Sequence, residues 1–369
     1  MHPTTSTPEA TSTEATPGLL GAGLRLGIDR SAADAAEQVA DRVRAQALGR
    51  PLPTSELATW STLAALGRED LAVGRLVEGH LDALRILREA DREPVPGAIY
   101  GVWASASGGT GLTATRSGDG WSVDGIMRYC SGAWFIDRAL VVVSAEDGKR
   151  LVDVEVRSAQ TAAGPLSRRD DTWPAVGMDV TRSVDVAVQG LAVRAADLVG
   201  GPGFYLDRPG FTAGGVGVAA VWLGGAAGVL DALVRGLAGG AASAHQRAHL
   251  GAMAARIAAA DALTAELADR LDHPKHRDHA ALAGEAGQRL SADDARAART
   301  AVELAVEDVL RRAPRVSGPT PLCRDAEFAH RLADLEVYVR QHHAEADYEQ
   351  LGSRLLESGE LLGRKFGSA

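Results

Sequence analysis

The chain has 369 residues, 46% apolar and 24% charged, with a net charge of −9 and a pI of about 5.6. That length suggests two or three structural units, and the composition suits a soluble globular protein. No run of like charge is long enough to follow a phosphate backbone, which sets nucleic acid aside as a partner. The two cysteines, Cys130 and Cys323, exclude a disulfide scaffold and a cysteine zinc centre, and they fit a reducing, cytoplasmic setting.

Residues 1–17 are rich in Thr, Ser, Pro and Glu, with neither a basic n-region nor an apolar h-region. They read as a disordered tail and not as a signal peptide. Residues 18–96 carry apolar side chains at helical spacing: Leu57, Trp60, Leu63, Leu66, then Leu71, Leu76, Leu81, Leu84, Leu87. Asp29, Ser31 and Ser55 are expected N-caps, and Arg92 to Gly97, with two prolines, is expected to link this helical domain to the next.

Residues 97–205 change period. Trp121 to Gly125, Arg138 to Ser144, Leu151 to Val156 and Ser183 to Val188 read as strands between turns, in a small barrel or sandwich. Residues 206–369 are helical again. They open with a Gly/Ala-rich stretch, Gly214 to Gly228, whose small side chains allow close helix packing. The most apolar part, Val216 to Leu230, reads as too short to span a bilayer.

Several strings then line up. Gly125-Ile126-Met127-Arg128-Tyr129-Cys130-Ser131-Gly132-Ala133, followed by Asp137 and Leu140 to Val143, resembles the acyl-CoA dehydrogenase family. Gly177-Met178-Asp179-Val180-Thr181-Arg182-Ser183 is similar to its Gly-Met-x-x-Thr-x-Ser element, and Ala219 to Ala226 to the start of its first C-terminal helix. The resemblance covers about residues 97 to 235; flanking regions match in texture only. It implies an α+β fold: an N-terminal helical domain, a small central β-barrel or sandwich and a C-terminal four-helix bundle. It also implies FAD held between the β domain and the bundle with a subunit interface contributing, hence a homodimer or homotetramer. A small-molecule substrate, such as an acyl thioester, and an electron-transfer partner follow from the same resemblance. Tyr129 would offer the ring a flat face and Ser131 a hydroxyl, while small residues from Cys130 to Gly132 let backbone N–H groups come close.

The departures are specific. Trp103 stands where the family places a threonine on its first flavin strand, and would either pack on the flavin or occupy its space. Gly215 replaces an arginine expected near the cofactor's pyrophosphate; Arg208 is a possible substitute but reads as a surface residue. Most important, the family's catalytic glutamate follows an Arg-Asp pair. Counting from Asp334 brings that slot to His342, and no Tyr-Glu-Gly string exists. A serine-glycine pair with a late histidine also occurs in flavin monooxygenases of this scaffold. There, Ser131 and His342 would serve oxygen chemistry at the flavin's C4a, since an imidazole titrates near neutrality. A scaffold that keeps the fold without turnover is the third reading.

The remaining candidates read as structural. His80 is expected to be a half-exposed or capped packing residue, and His273, His276 and His279 a charged loop and not a metal site, which Pro274 disrupts. Gly200 to Gly203 reads as a hinge, and Asp325 as an N-cap.

Overall fold

The computed structural model describes residues 18–21, 24, 26–49, 53–105, 111–160, 164–273 and 290–367. The N-terminal part supplies α1 (Ala35–Leu48), α2 (Glu56–Glu69) and α3 (Leu71–Glu89). Ser55 caps α2 through Ala58 N, as expected; α3 begins one residue after α2 ends because the Asp70 carboxylate accepts from Val73 N and starts a new helix. Asp29 and Ser31 are not N-caps. The Asp29 carboxylate instead accepts from Ser31 N and Oγ in a local turn, and α1 starts after Asp34 without a side-chain cap.

The central part forms β1 (Tyr100–Trp103), β2 (Gly111–Ser117), β3 (Gly120–Cys130), β4 (Arg138–Ala145), β5 (Gly148–Glu155), the one-turn α4 (Val156–Ala159), β6 (Leu166–Arg169), β7 (Val184–Val193) and β8 (Leu198–Val199). Their pairing order is β6-β7-β3-β2-β4-β5-β8, with β1 alongside β4. The expected barrel is not formed among the described residues: this is one sheet, with β6 and β8 at its ends. Strand β4 is shared along its length, pairing in parallel with β1 over Arg138 to Val141 and with β2 at Val143 and Ser144. Leu140, Val141 and Val143 are all buried, which explains the nearly continuous β-branched run.

After the short α5 (Phe204–Asp207) come α6 (Phe211–Leu237), α7 (Ala244–Asp272), α8 (Ala292–Ser317), α9 (Pro319–Arg324), α10 (Ala326–Tyr338) and α11 (Glu345–Ser358), closed by a two-residue hairpin of β9 (Glu360–Leu361) and β10 (Arg364–Lys365). Helix α6 is 27 residues long, longer than its apolar run suggests and enough by length and composition to cross a membrane, but 78% of that window is buried in the fold. It is the bundle's central helix. A Cβ on Gly224 would lie 2.0 Å from Ala64 O, and one on Gly67 2.3 Å from Val221 O, so α2 and α6 meet backbone to backbone. Two cores result. Trp60 and Leu63 of α2 join the bundle around Trp222, whereas α1 and much of α3 pack with the sheet around Ile99, Trp103 and Val141.

Candidate functional site

The end of β3 is bent. The pairing of β3 with β7 slips between Met127 and Cys130, and Tyr129 sits at φ +60°. A bulge of this kind re-aims a side chain. It turns Tyr129 outward, 51% exposed, edge-on to Trp173 at 6.4 Å between centroids. Beyond the turn, Trp134 is also exposed, and the guanidinium groups of Arg168 and Arg182 lie over its ring at 4.3 and 4.9 Å. The strand end thus presents aromatic surface beside positive charge.

Behind it runs a chain of three hydroxyls. Ser183 Oγ lies 2.9 Å from Ser131 Oγ and 2.8 Å from Thr181 Oγ1, which also reaches Met178 O at 2.6 Å. Each hydroxyl has one proton, and with Thr181 donating to Met178 O the Ser183 proton serves either Thr181 or Ser131; in the second arrangement Ser131 keeps its own proton for a partner beyond the chain, and in the first it presents a lone pair there. The Gly-Met-x-x-Thr-x-Ser element builds this chain and anchors it. A Cβ on Gly177 would meet Ala333 O at 2.0 Å, and Met178 N donates to the Asp334 carboxylate of α10. The backbone donors expected nearby are already committed: Ser131 N to Tyr129 O and Gly132 N to Thr181 O, both at 2.9 Å. Cys130 is fully buried, and burial raises its thiol pKa, so it is a core residue with the thiol protonated.

Trp103 does not lie on this wall. It is 3% exposed, belongs to the core under the sheet, and donates from Nε1 to Ser131 O at 3.1 Å. Its indole holds the Ser131 segment from inside and leaves the outer face clear. Arg208 is likewise not a surface residue. It is 4% exposed and paired with Asp82 at 2.8 Å and Glu89 at 3.1 Å, so its charge is already used. The arginine that reaches the Gly215 carbonyl is Arg299 of α8, which sequence reasoning did not single out; it also donates to Gln341 O and lies over Trp222.

His342 lies in the turn between α10 and α11 and is 4% exposed. Its Nδ1 accepts from Ala344 N at 3.1 Å, so the proton sits on Nε2, which faces Thr300 Oγ1 at 3.0 Å. Burial lowers its pKa to about 4 against the attraction of Asp347, so the ring is neutral at pH 7. Both nitrogens are therefore engaged within the chain. Ala344 adopts φ 46°, ψ −114° to complete this turn, a conformation that a side chain disfavours. His343 next to it is exposed.

Two of the structural candidates are placed as follows. His80 is more buried than expected, 2% exposed, and its Nδ1 accepts from Tyr100 N at 3.1 Å; burial lowers its pKa to about 4. Asp325 caps α10 through Phe328 N, as expected. His276 and His279, like the 1–17 tail, lie outside the described residues. A cluster that the sequence did not disclose surrounds Arg30, which bonds Asp334 at 2.7 Å, Asp179 at 2.8 Å and Asp70 at 3.0 Å. Ligand atoms of Asp179, His330 and Asp334 come within 4.8 Å of one another, but the Arg30 guanidinium is already the cation between the two aspartates.

No family model and no curated protein matches the sequence. Solved structures do match the fold. TdsC from Paenibacillus sp. A11-2, solved with FMN and indole, aligns at a TM-score of 0.70 and 17% identity over 90% of this chain and 92% of that one. XiaF from Streptomyces sp., in complex with FADH2 and glycerol, aligns at 0.67 and 20% identity over 90% of both chains. Butyryl-CoA dehydrogenase from Megasphaera elsdenii aligns at 0.67 and 15% identity over 89% of this chain and 90% of that one. The chain has the acyl-CoA dehydrogenase fold.

Proposed function

We propose that this chain, built on the acyl-CoA dehydrogenase fold, is a flavin-dependent oxidoreductase acting on a small organic molecule. One observation carries the reading. The hydroxyl chain ends at Ser131 with a proton or a lone pair to offer, beside a half-exposed Tyr129, and Trp103 stays behind the strand and out of that space. Such a wall fits an isoalloxazine ring, which needs a flat apolar face and a few fixed donors. Bound, the flavin supplies the hydride or electron chemistry. Tyr129 would pack on the ring, and Ser131 would donate to an acceptor on its edge while accepting from Ser183 behind it. FAD is the form that the family resemblance implies. FMN is favoured by a specific loss: Gly215 provides no cation for a pyrophosphate, and Arg208 is consumed by Asp82 and Glu89.

The α10–α11 turn offers no carboxylate at the slot counted from Asp334, which weighs against α-proton removal from an acyl thioester. A monooxygenase-type reaction is the second reading, with His342 holding the proton on Nε2. The same proposal carries a redox partner protein and a homodimer or homotetramer, whose interface would cover the exposed Tyr129, Trp134 and Val176.

The test is retention of cofactor. The protein is mixed with FAD or FMN, desalted, and read at the flavin band at about 450 nm. We expect a yellow protein, with retention about tenfold weaker in Ser131→Ala, on the order of 1.4 kcal/mol. A folded protein that stays colourless with both flavins overturns the proposal.

A further inference from the structure

Helices α2, α3 and α6 enclose a passage that the flavin wall does not use. Its outer part is a cleft of about 410 Å3 between α2 and α3, lined by Pro53, Leu84 and Arg88, with Asp91 to Pro94 across its mouth. Its inner end, about 20 Å3, lies among Trp60, Leu63, Glu78 and Gly217. Thr59, Leu81 and Arg85 line both parts, so the two are separated by no more than these side chains.

The inner end brings together the donors of Trp60 and Arg85 and the acids Glu78 and Asp82, each acid already bonded to another arginine. Trp60 is fully buried and its Nε1 has no hydrogen-bond partner; Arg85 donates from Nη2 to Glu56 at 2.7 Å, while its buried Nη1 has none. Elsewhere in the core, Arg75 Nε, Trp222 Nε1 and the Tyr338 hydroxyl are also buried without partners. The N–H groups are donors and the Tyr338 hydroxyl donates or accepts, and each unmade bond of this kind costs about 1–3 kcal/mol. Glu78 supplies the nearby acid. It accepts from Arg75 at 2.7 Å, and burial raises its pKa to about 7, so it is part-protonated at neutral pH. Arg75, Asp82 and Tyr205 face it, as do Arg299 from α8 and Tyr338 from α10; Asp82 is itself tied to Arg208.

We infer that this passage binds a small organic acid, carboxylate first: the carboxylate accepts from Arg85 Nη1 and Trp60 Nε1, and the apolar body lies in the outer cleft against Leu81 and Leu84. A space of this size at the inner end holds about one water-sized group, which suits a carboxylate head better than a ring. Asp82 is paired with Arg208 at 2.8 Å; protonated Glu78 adds no further charge against the entering anion and ionised Glu78 repels it, so affinity falls as pH rises through about 7. The inference does not depend on the flavin reading.

Calorimetric titration of the full chain with benzoate, phenylacetate and cyclohexanecarboxylate, against benzamide as the neutral counterpart, tests it. At least one carboxylate binds, and binds at least about tenfold more tightly than the amide. Arg85→Met and Trp60→Phe each weaken it about tenfold; the second also trims buried ring volume from the core, so its fold is checked by circular dichroism and thermal unfolding, and Arg85→Met stands as the independent arm. Glu78→Gln flattens the decline between about pH 6 and about pH 8. Failure of all three carboxylates to bind, equal affinity for the amide, or binding indifferent to Trp60→Phe overturns the inference and leaves a water-filled crevice. Flavin absorbance is read in parallel: a colourless chain that binds carboxylate ends only the flavin proposal, and a yellow chain that ignores carboxylates ends only this one.

Discussion

Two buried polar regions of this molecule are opposites. Around Arg30, one guanidinium bonds the carboxylates of Asp70, Asp179 and Asp334, and Asp334 in turn accepts from Met178 N; only Arg30 Nε lacks a partner. Around Glu78, its carboxylate accepts from Arg75 Nη1, while Arg75 Nε, Trp60, Arg85, Trp222 and the Tyr338 hydroxyl keep buried polar atoms without partners. A network with its bonds made stabilises and positions; a buried set of unmade donors destabilises the fold unless something enters to accept from them. The first region ties the segment before α1 to α3, to the Gly-Met element and to α10. The second opens to solvent through a cleft.

The contrast can be broken or sharpened by substitution. The largest effect is expected at Arg30→Met, which leaves three carboxylates without their cation. We expect a loss of about 3–5 kcal/mol in denaturant unfolding, typical of removing one partner from a buried ion pair. A loss under about 1 kcal/mol would mean that the cluster is not the strut described. His80→Leu removes the acceptor for the buried Tyr100 N–H, a second saturated site, and should cost about 1–3 kcal/mol. It should also reduce the acid sensitivity of the fold. His80 and His342 are held neutral, with pKa values lowered from 6.5 to about 4, so each contributes stability present above pH 6.5 and lost as pH falls toward 4.

Glu78→Gln probes the unsaturated region. Its pKa is raised from 4.5 to about 7, so the fold holds this proton more tightly than the unfolded chain does. Stability is greatest below pH 4.5 for this group and declines as pH rises to about 7. The variant should lack that decline, a difference on the order of 2 kcal/mol between about pH 5 and about pH 8 in thermal or denaturant unfolding. A parallel decline in the variant would assign it to another group. The smallest effect is expected at Ala344→Gly, which relieves φ 46° in the turn beside His342 and should stabilise by about 1 kcal/mol.

Much of the fold was legible because its signals are local. The change from helical to alternating spacing near Gly97, the run from Arg138 to Ser144, and the caps Ser55 and Asp325 depend only on near neighbours along the chain. The site was less so. Trp103 reads equally as a flavin neighbour or a core residue until the strand's two faces are assigned; β1 beside β4 puts its indole under the sheet. Arg208 reads as a surface residue until Asp82 and Glu89, more than a hundred positions earlier, are brought to it. Glu78 passed as one more charged position on an amphipathic helix. What makes it distinctive is its burial, beside charges and hydroxyls such as Arg299 and Tyr338 from helices far along the chain.

By itself the sequence determined the α–β–α order, the Gly125-to-Ala133 segment carrying Tyr129 and Ser131, and the absence of a glutamate at the His342 slot, because each is a matter of periodicity or residue identity. The tertiary structure alone decided that the sheet stays open, that Trp103 supports Ser131 from behind, that both His342 nitrogens are occupied, and that Trp60, Arg85 and Glu78 share one passage. The reason is physical. Hydrogen-bond saturation and desolvation are properties of what surrounds a group, and for these residues the surroundings come from distant parts of the chain.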